Sequence, residues 1–320
     1  MLPSKHTRHL ILAPCSRRKR GKPAARVAAA DLPRGKLRDV AAEWLRRLSL
    51  ASADVPAGDY YCGRGPAEAR AAACESGAQL VFVSAGLGYV PAATLVPHYS
   101  LTVAERDPDS IGRIVEGDAP PQIWWSTLKQ AKAKTGLGST SLLELAGDSG
   151  ALIVAALPGA YLGMIGEDLV QLPPSVRARV RIVGTPRSAV PPTLADLWMP
   201  YDARFDGPAS PNAGTRGDFA QRAARHFLAE VASRAPTAGA AEHAATVRGL
   251  LAPLPEAERR ARRRAGSDTE LIGAIGELLP KAHGRSGVTL RLLRREAGWA
   301  CEQGRFRRLF AAALAGEGGA

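Results

Sequence analysis

Four short apolar runs interrupt an otherwise mixed sequence: HLILAP (9–14), QLVFVSA (79–85), ALIVAAL (151–157) and RVRIVG (179–184). They are leucine-rich or β-branched and largely continuous, the pattern of strands buried on both faces. Between them, GKLRDVAAEWLRRLSLA (35–51) and GPAEARAAACESG (65–77) have helical composition and spacing. Strands separated by helices need crossover connections, which predicts an α/β domain with a mostly parallel, Rossmann-like sheet over residues 1–200. Each run empties into an unusual loop: PCSRRKR, SAGLGYVP, PGAYLG and GTPRSAVPP. In open α/β sheets ligands bind beyond the carboxyl ends of the strands, so these loops are where a site is expected.

Past residue 200 the pattern changes. MPYDARFDGPASPN (199–212) reads as loop, and 214–234 as a helix with Thr215 at its N-cap and Asp218 in its first turn. APTAGAAEHAAT (235–246) reads as a linker closing a 201–246 segment, and 247–320 as a helical module. In that module one helix is expected from Ser286 to about Ala297, a tight turn at Gly298, and a second helix from about Cys301 to Leu314. Phe306, Leu309 and Phe310 share a face of the second helix. That spacing suits a helix-turn-helix or winged-helix unit as well as a plain bundle with a basic face. Arg294, Arg295, Gln303, Arg305 and Arg308 are its candidate nucleic-acid contacts.

Charge sharpens this picture. The 320 residues carry a formal net charge of +13, and residues 1–47 alone hold thirteen Lys/Arg against Asp31, Asp39 and Glu43. A second excess runs from Arg259 to Arg308. Clustered cations concentrate polyanions, which points to nucleic acid, DNA more than tRNA, against the plain reading of a solvated basic surface. Four scattered cysteines (Cys15, Cys62, Cys74, Cys301) suit neither a disulfide framework nor a CxxC metal site. No secretory h-region or bilayer-length apolar run is present. A reduced, cytoplasmic protein with no membrane contact, no metal and no cofactor is expected.

Chemistry concentrates at the strand ends. Cys15 lies beside Ser16, Arg17, Arg18, Lys19 and Arg20. Cations stabilise a thiolate, which makes Cys15 a candidate nucleophile. The same loop also reads as an anion pocket of Ser16, backbone N–H groups, Arg17 and Lys19, or as a buried thiol closing a strand. SAGLGYV places Ser84, Gly86 and Gly88 after the second run, as ligand contacts or as a sharp turn. It lacks the GxGxxG spacing of a dinucleotide site, which argues against a nicotinamide enzyme. His98 is the acid/base candidate, with Tyr99 beside it as a substrate contact. Tyr61 and Arg64, in DYYCGRGP (59–66), suit a stacked base and a phosphate, or a packed turn. Asp206, in YDARFDGP (201–208), is a candidate base or an intraloop acceptor.

PCSRRK resembles the Pro-Cys-x3-Lys core of archaeosine synthase, which modifies a deazaguanine base in tRNA. CSRRK, YCGRG and SAGLGYV together are similar to a set of small bacterial α/β domains with a Cys-Ser-x-x-Lys loop. The likeness spans roughly residues 8–102 and implies Cys15 and Lys19 as active-site positions. The resulting expectation is a nucleic-acid-directed enzyme of base or nucleotide chemistry, of transferase or glycosidase type. Its alternatives are a non-catalytic DNA-binding subunit of a genome-defence (phage defence) or DNA-modification complex, with other subunits as partners, and a small-molecule enzyme with an incidental basic tail.

Overall fold

The run at 9–14 becomes β1 (Leu10–Pro14), the central strand of a five-stranded sheet. A computed structural model of the protein describes residues 9–23, 27–135, 141–147, 150–256 and 263–317. β1 pairs in parallel with Gln79–Ser84 on one side and Ile153–Ala155 on the other. The latter pairs in parallel with Val180–Ile182, while Gly88–Pro91 adds one antiparallel edge strand beside Gln79–Ser84. A two-stranded ribbon, Ala53–Pro56 with Leu95–Pro97, stands apart. In chain order these strands are β1 to β7, and the sheet order is β4-β3-β1-β6-β7.

All four expected strands are therefore present in one mostly parallel sheet. Leu10, Ile11, Leu12 and Ala13 are buried, as a strand covered on both faces requires. The chain leaves β1 toward β3 on one side and later fills β6 and β7 on the other. Strand order thus reverses at β1, which opens a crevice beyond the ends of β1 and β6.

Helices pack into two main sets. Leu37–Leu50, Pro121–Thr135 and Gly159–Val170 form one; Arg64–Ser76, Phe219–His226 and Ala240–Leu251 with the π-helical turn Phe227–Ala232 form the other. The expected helix beyond Thr215 starts as foreseen, with Asp218 accepting from both the backbone N–H and the hydroxyl of Thr215. Two expectations change. PGAYLG is the first turns of the Gly159–Val170 helix, with Pro158 at its N-cap. The stretch 235–246, expected as a linker, instead leads into the Ala240–Leu251 helix. That segment supplies partners to a buried arginine: Arg181 on β7 donates to His243 Nδ1 at 2.9 Å and to the Ala238 carbonyl at 2.9 Å. Burial brings the Arg181 guanidinium down to about 10. An unbonded buried cation costs far more than a bonded one, so this segment is held in place.

The chain divides into two compact units, Met1–Ala257 and Glu258–Ala320, each with its own apolar core. The C-terminal unit contains helices Asp268–Leu278, Ser286–Arg295 and Gln303–Glu317 around Leu271, Ile275, Leu293, Phe306 and Leu309. Gly298 sits in the left-handed region at φ +69°, as a sharp turn between the last two helices demands. Arg259, Arg260 and Arg262 fall outside the described residues. No helix among the described residues is long and apolar enough to cross a membrane.

Candidate functional site

β1 ends at Pro14, and the next residue opens a cleft of about 180 Å³. It is lined by Cys15, Ser16, Arg17, Lys19, Ser100, Leu101, Thr102, Asp107, Pro108, Asp109 and Tyr161. The loop forming its floor is fixed by backbone bonds. Cys15 N–H donates to the Val83 carbonyl at 2.9 Å, Cys62 N–H to the Arg18 carbonyl at 2.8 Å, and Arg20 N–H to the Tyr60 carbonyl at 2.9 Å. Lys19 and Tyr61 form an isolated antiparallel bridge.

The thiol of Cys15 is half-buried and lies 3.3 Å from the Tyr161 hydroxyl, which the first turn of the helix following β6 supplies. Lys19 carries its ammonium 4.3 Å from the centroid of the Tyr99 ring, a cation–π contact. Burial lowers the Lys19 pKa; the opposing charges of Cys15, Asp109 and Asp107 recover part of that shift. The amine therefore gives up its proton more readily than a free lysine. Two carboxylates form the facing wall. Asp107 is buried, accepts the Asp109 N–H at 3.0 Å and pairs with Arg17 Nε at 2.8 Å. Asp109 accepts from Ala30 N–H at 3.1 Å and from the Ser100 hydroxyl at 2.6 Å.

This wall changes the expected electrostatics. Arg17 and Lys19 face two carboxylates inside the same cleft, so its interior is charge-compensated and unlike a phosphate trap built from cations and N–H groups. A cavity of about 150 Å³ admits one benzene-sized ring. The cleft matches that scale and falls below the ~300 Å³ at which drug-sized ligand pockets begin.

Beneath the loop lies a buried polar chain. Tyr61 and Tyr99 hydroxyls stand 2.7 Å apart, and the Tyr99 hydroxyl meets Ser84 Oγ at 2.5 Å. Ser84 Oγ also accepts from the N–H groups of Gly86 (3.2 Å) and Leu87 (3.1 Å). Tyr60 donates to the Tyr99 carbonyl at 2.9 Å and accepts its N–H at 2.7 Å. Burial pushes the Tyr61 and Tyr99 phenols well above 10 and Tyr60 to about 12, which keeps all three as neutral hydrogen-bonding groups. Trp44 and Trp124 clamp the same turn by donating to the Gly86 and Ala85 carbonyls, each at 2.8 Å.

Several expected site residues therefore do not line the cleft. SAGLGYV closes the β3–β4 hairpin, and the N–H groups of Gly86 and Leu87 are taken by Ser84. A side chain at Gly86 would strike the Tyr99 ring at 2.7 Å, and Gly88 turns the chain at φ +84°. Tyr61 is fully buried against Phe82, ring centroids 4.9 Å apart, so it presents no face to stack a base. Arg64 pairs with Asp218 at 2.8 Å. Asp206 is held by Arg222 at 2.7 Å and by Gly214 N–H at 3.0 Å. His98, directly after β5, packs edge-on against Tyr60, with Asp54 3.8 Å from Nε2 and Gly21 against its ring. Of the expected set, the structure brings Cys15, Ser16, Arg17 and Lys19 together. It adds Tyr161, Asp107 and Asp109, which sequence reasoning did not select. The signals were present in PGAYLG, already marked as a strand-end segment, and in the turn-like RDPDS (106–110).

In the C-terminal unit the expected contacts are mostly occupied internally. Arg305 and Arg308 both pair with Asp268, at 2.6 and 2.9 Å, and Arg305 also donates to the Gly266 carbonyl. Arg294 donates to the Cys301 carbonyl at 2.7 Å. Arg295 and Gln303 are exposed. Arg264 lies over the Trp299 ring at 3.7 Å. Compared with known proteins, the chain matches no protein-family model, no curated protein and no solved structure.

Proposed function

We propose that the protein is a nucleic-acid-directed group-transfer enzyme whose covalent chemistry runs on Cys15 in the β1-end cleft. One observation carries this reading: a thiol, an amine of lowered basicity and two carboxylates share a ring-sized cleft where strand order reverses. A Rossmann-like, doubly wound sheet places its ligand at that crevice. The likeness of PCSRRK to a deazaguanine-modifying core supports the same pair, Cys15 and Lys19.

The roles follow from the geometry. The Cys15 thiolate attacks an electrophilic carbon of the substrate, forming an S–C bond as the bond to the leaving group breaks. The leaving atom takes a proton from the Lys19 ammonium. An acceptor then attacks the same carbon and gives its proton to the Lys19 amine, and the S–C bond breaks to restore the thiolate. Tyr161 orients the sulfur, and the Asp107/Asp109 wall accepts hydrogen bonds from N–H groups of the bound ring. A base stacked in a duplex is out of reach of so narrow a cleft, so it would be extruded or presented on a single strand. The C-terminal helices, as a helix-turn-helix-like unit, would add grip on DNA. The charge-compensated interior disfavours the alternative of a pure phosphate-binding subunit.

Protection of the thiol tests this reading. A saturating single-stranded oligonucleotide should slow iodoacetamide labelling of Cys15 at least about tenfold while leaving the exposed Cys74 unaffected. Equal labelling of Cys15 with and without the oligonucleotide would reject it.

A further inference from the structure

The loop that carries Cys15 into the cleft sorts its cations by position. At Lys19 the backbone makes a single antiparallel bridge to Tyr61, with the chain bending at Arg17 and again at Arg20. Lys19 turns inward over Tyr99 and is half-buried, while its neighbours Arg18 and Arg20 are exposed. Gly21, at φ +76°, then turns the chain and presents Lys22, also exposed. Arg18, Arg20 and Lys22 have no carboxylate or carbonyl partner among the described residues. They contrast with Arg17 on the same loop, which Asp107 holds.

The loop is nonetheless not slack. Its backbone is tied to Tyr60, Tyr61 and Cys62, and a side chain added at Gly21 would meet the His98 ring at 2.6 Å. Three cations without an acceptor among the described residues are thus held on a fixed ledge beside a cleft whose own cations face carboxylates.

We infer that Arg18, Arg20 and Lys22 form a rim that grips the phosphates of a single-stranded polynucleotide, leaving the carboxylate-walled interior of the cleft to take one of its bases. The inference rests on the nucleic-acid reading above and adds a division of labour to it. Phosphates are held outside by charge, and the ring is held inside by hydrogen bonds and shape. A free base or nucleoside would use the cleft without the rim, so the preferred substrate is a base within a phosphate-bearing strand.

The test is the salt dependence of binding to a fluorescent single-stranded oligonucleotide by the full-length protein. Each phosphate contact on a single strand contributes about 0.7 to the slope of log K against log salt. The R18Q/R20Q/K22Q variant should lower the magnitude of that slope by about 2, and R18K/R20K should restore it. Measurable binding with an unchanged slope would overturn the rim while leaving the polynucleotide reading standing. Absence of binding by the unmodified protein at low salt would overturn the polynucleotide reading itself.

Discussion

The two basic regions of this chain look alike as text and behave differently in space. In the cleft loop, the rim cations Arg18, Arg20 and Lys22 have no internal acceptor among the described residues, while Arg17 is paired with Asp107 and Lys19 lies over the Tyr99 ring. In the C-terminal unit, Arg294, Arg305 and Arg308 serve as struts. They fasten the Gln303–Glu317 helix to the start of the Asp268–Leu278 helix and the Ser286–Arg295 helix to the Cys301 carbonyl. A count of cations therefore overstates what is available to a polyanion. Cations that share an internal carboxylate, as Arg305 and Arg308 share Asp268, are partly neutralised and offer less to a polyanion than their number suggests.

The largest effect expected is at the sulfur. On the proposed covalent chemistry, Cys15→Ala should abolish turnover, by about 10³-fold or more, since it takes away the nucleophile and leaves only binding and electrostatics. Nucleotide-product formation measures it, and near-normal turnover would move the chemistry elsewhere.

Next comes the separate footing of the two units. Phe306→Ala removes a buried ring from the smaller core and should destabilise that unit by about 3–5 kcal/mol. Iodoacetamide labelling of Cys15 should be unchanged, because its cleft belongs to the other core. Chemical denaturation followed at Trp299, with labelling in parallel, checks both halves.

Acid should separate the units as well. Burial lowers the pKa of His9, His226 and His243 in the α/β unit below the ordinary 6.5. The unfolded chain then binds more protons than the folded one below pH 6.5, so this contribution to stability is complete above 6.5 and is lost as pH falls from there. For His243 the structural reason is explicit: Nδ1 accepts from Arg181, and a proton there would set two cations against each other. In the C-terminal unit, hydrogen bonds and arginine neighbours lower Asp268, Glu270 and Glu302. Their contribution is present above the ordinary carboxylate values of 3.8 to 4.5 and is lost below them. Denaturation midpoints across pH 7 to 4 should fall for the α/β unit first.

The smallest change is Tyr161→Phe. Losing one hydrogen bond to sulfur, worth about 0.5–1.5 kcal/mol, should slow Cys15 alkylation about three- to tenfold and lower the thermal midpoint by only a few degrees.

Much of the fold was legible because parallel strands buried on both faces leave continuous apolar runs, and all four such runs became strands of one sheet. The short strands β2, β4 and β5 escaped, being three or four residues long with proline at an end. The Ala240–Leu251 helix escaped because its alanine-rich start resembles a linker, while burial of Ala244, Val247 and Leu251 and the contact with Arg181 fix its place. At the site, local sequence gave away what lies on one loop: Cys15, Ser16, Arg17 and Lys19. It did not give away Tyr161, nearly 150 residues on, nor the carboxylate wall, because those join the cleft only through strand order and a distant turn. Ser84 and Tyr99 misled for the converse reason. A polar residue at a strand end suits a ligand or a buried hydroxyl chain equally well, and only packing decides which.

The central claim is that Lys19 and Cys15 act as a pair. Its most direct measure is the rate at which a small uncharged haloacetamide alkylates Cys15 in the native protein and in Lys19→Met, with Cys74 as internal reference. The account predicts that losing the ammonium slows Cys15 about tenfold or more while Cys74 is unaffected. Equal rates at Cys15 in the two proteins would contradict it.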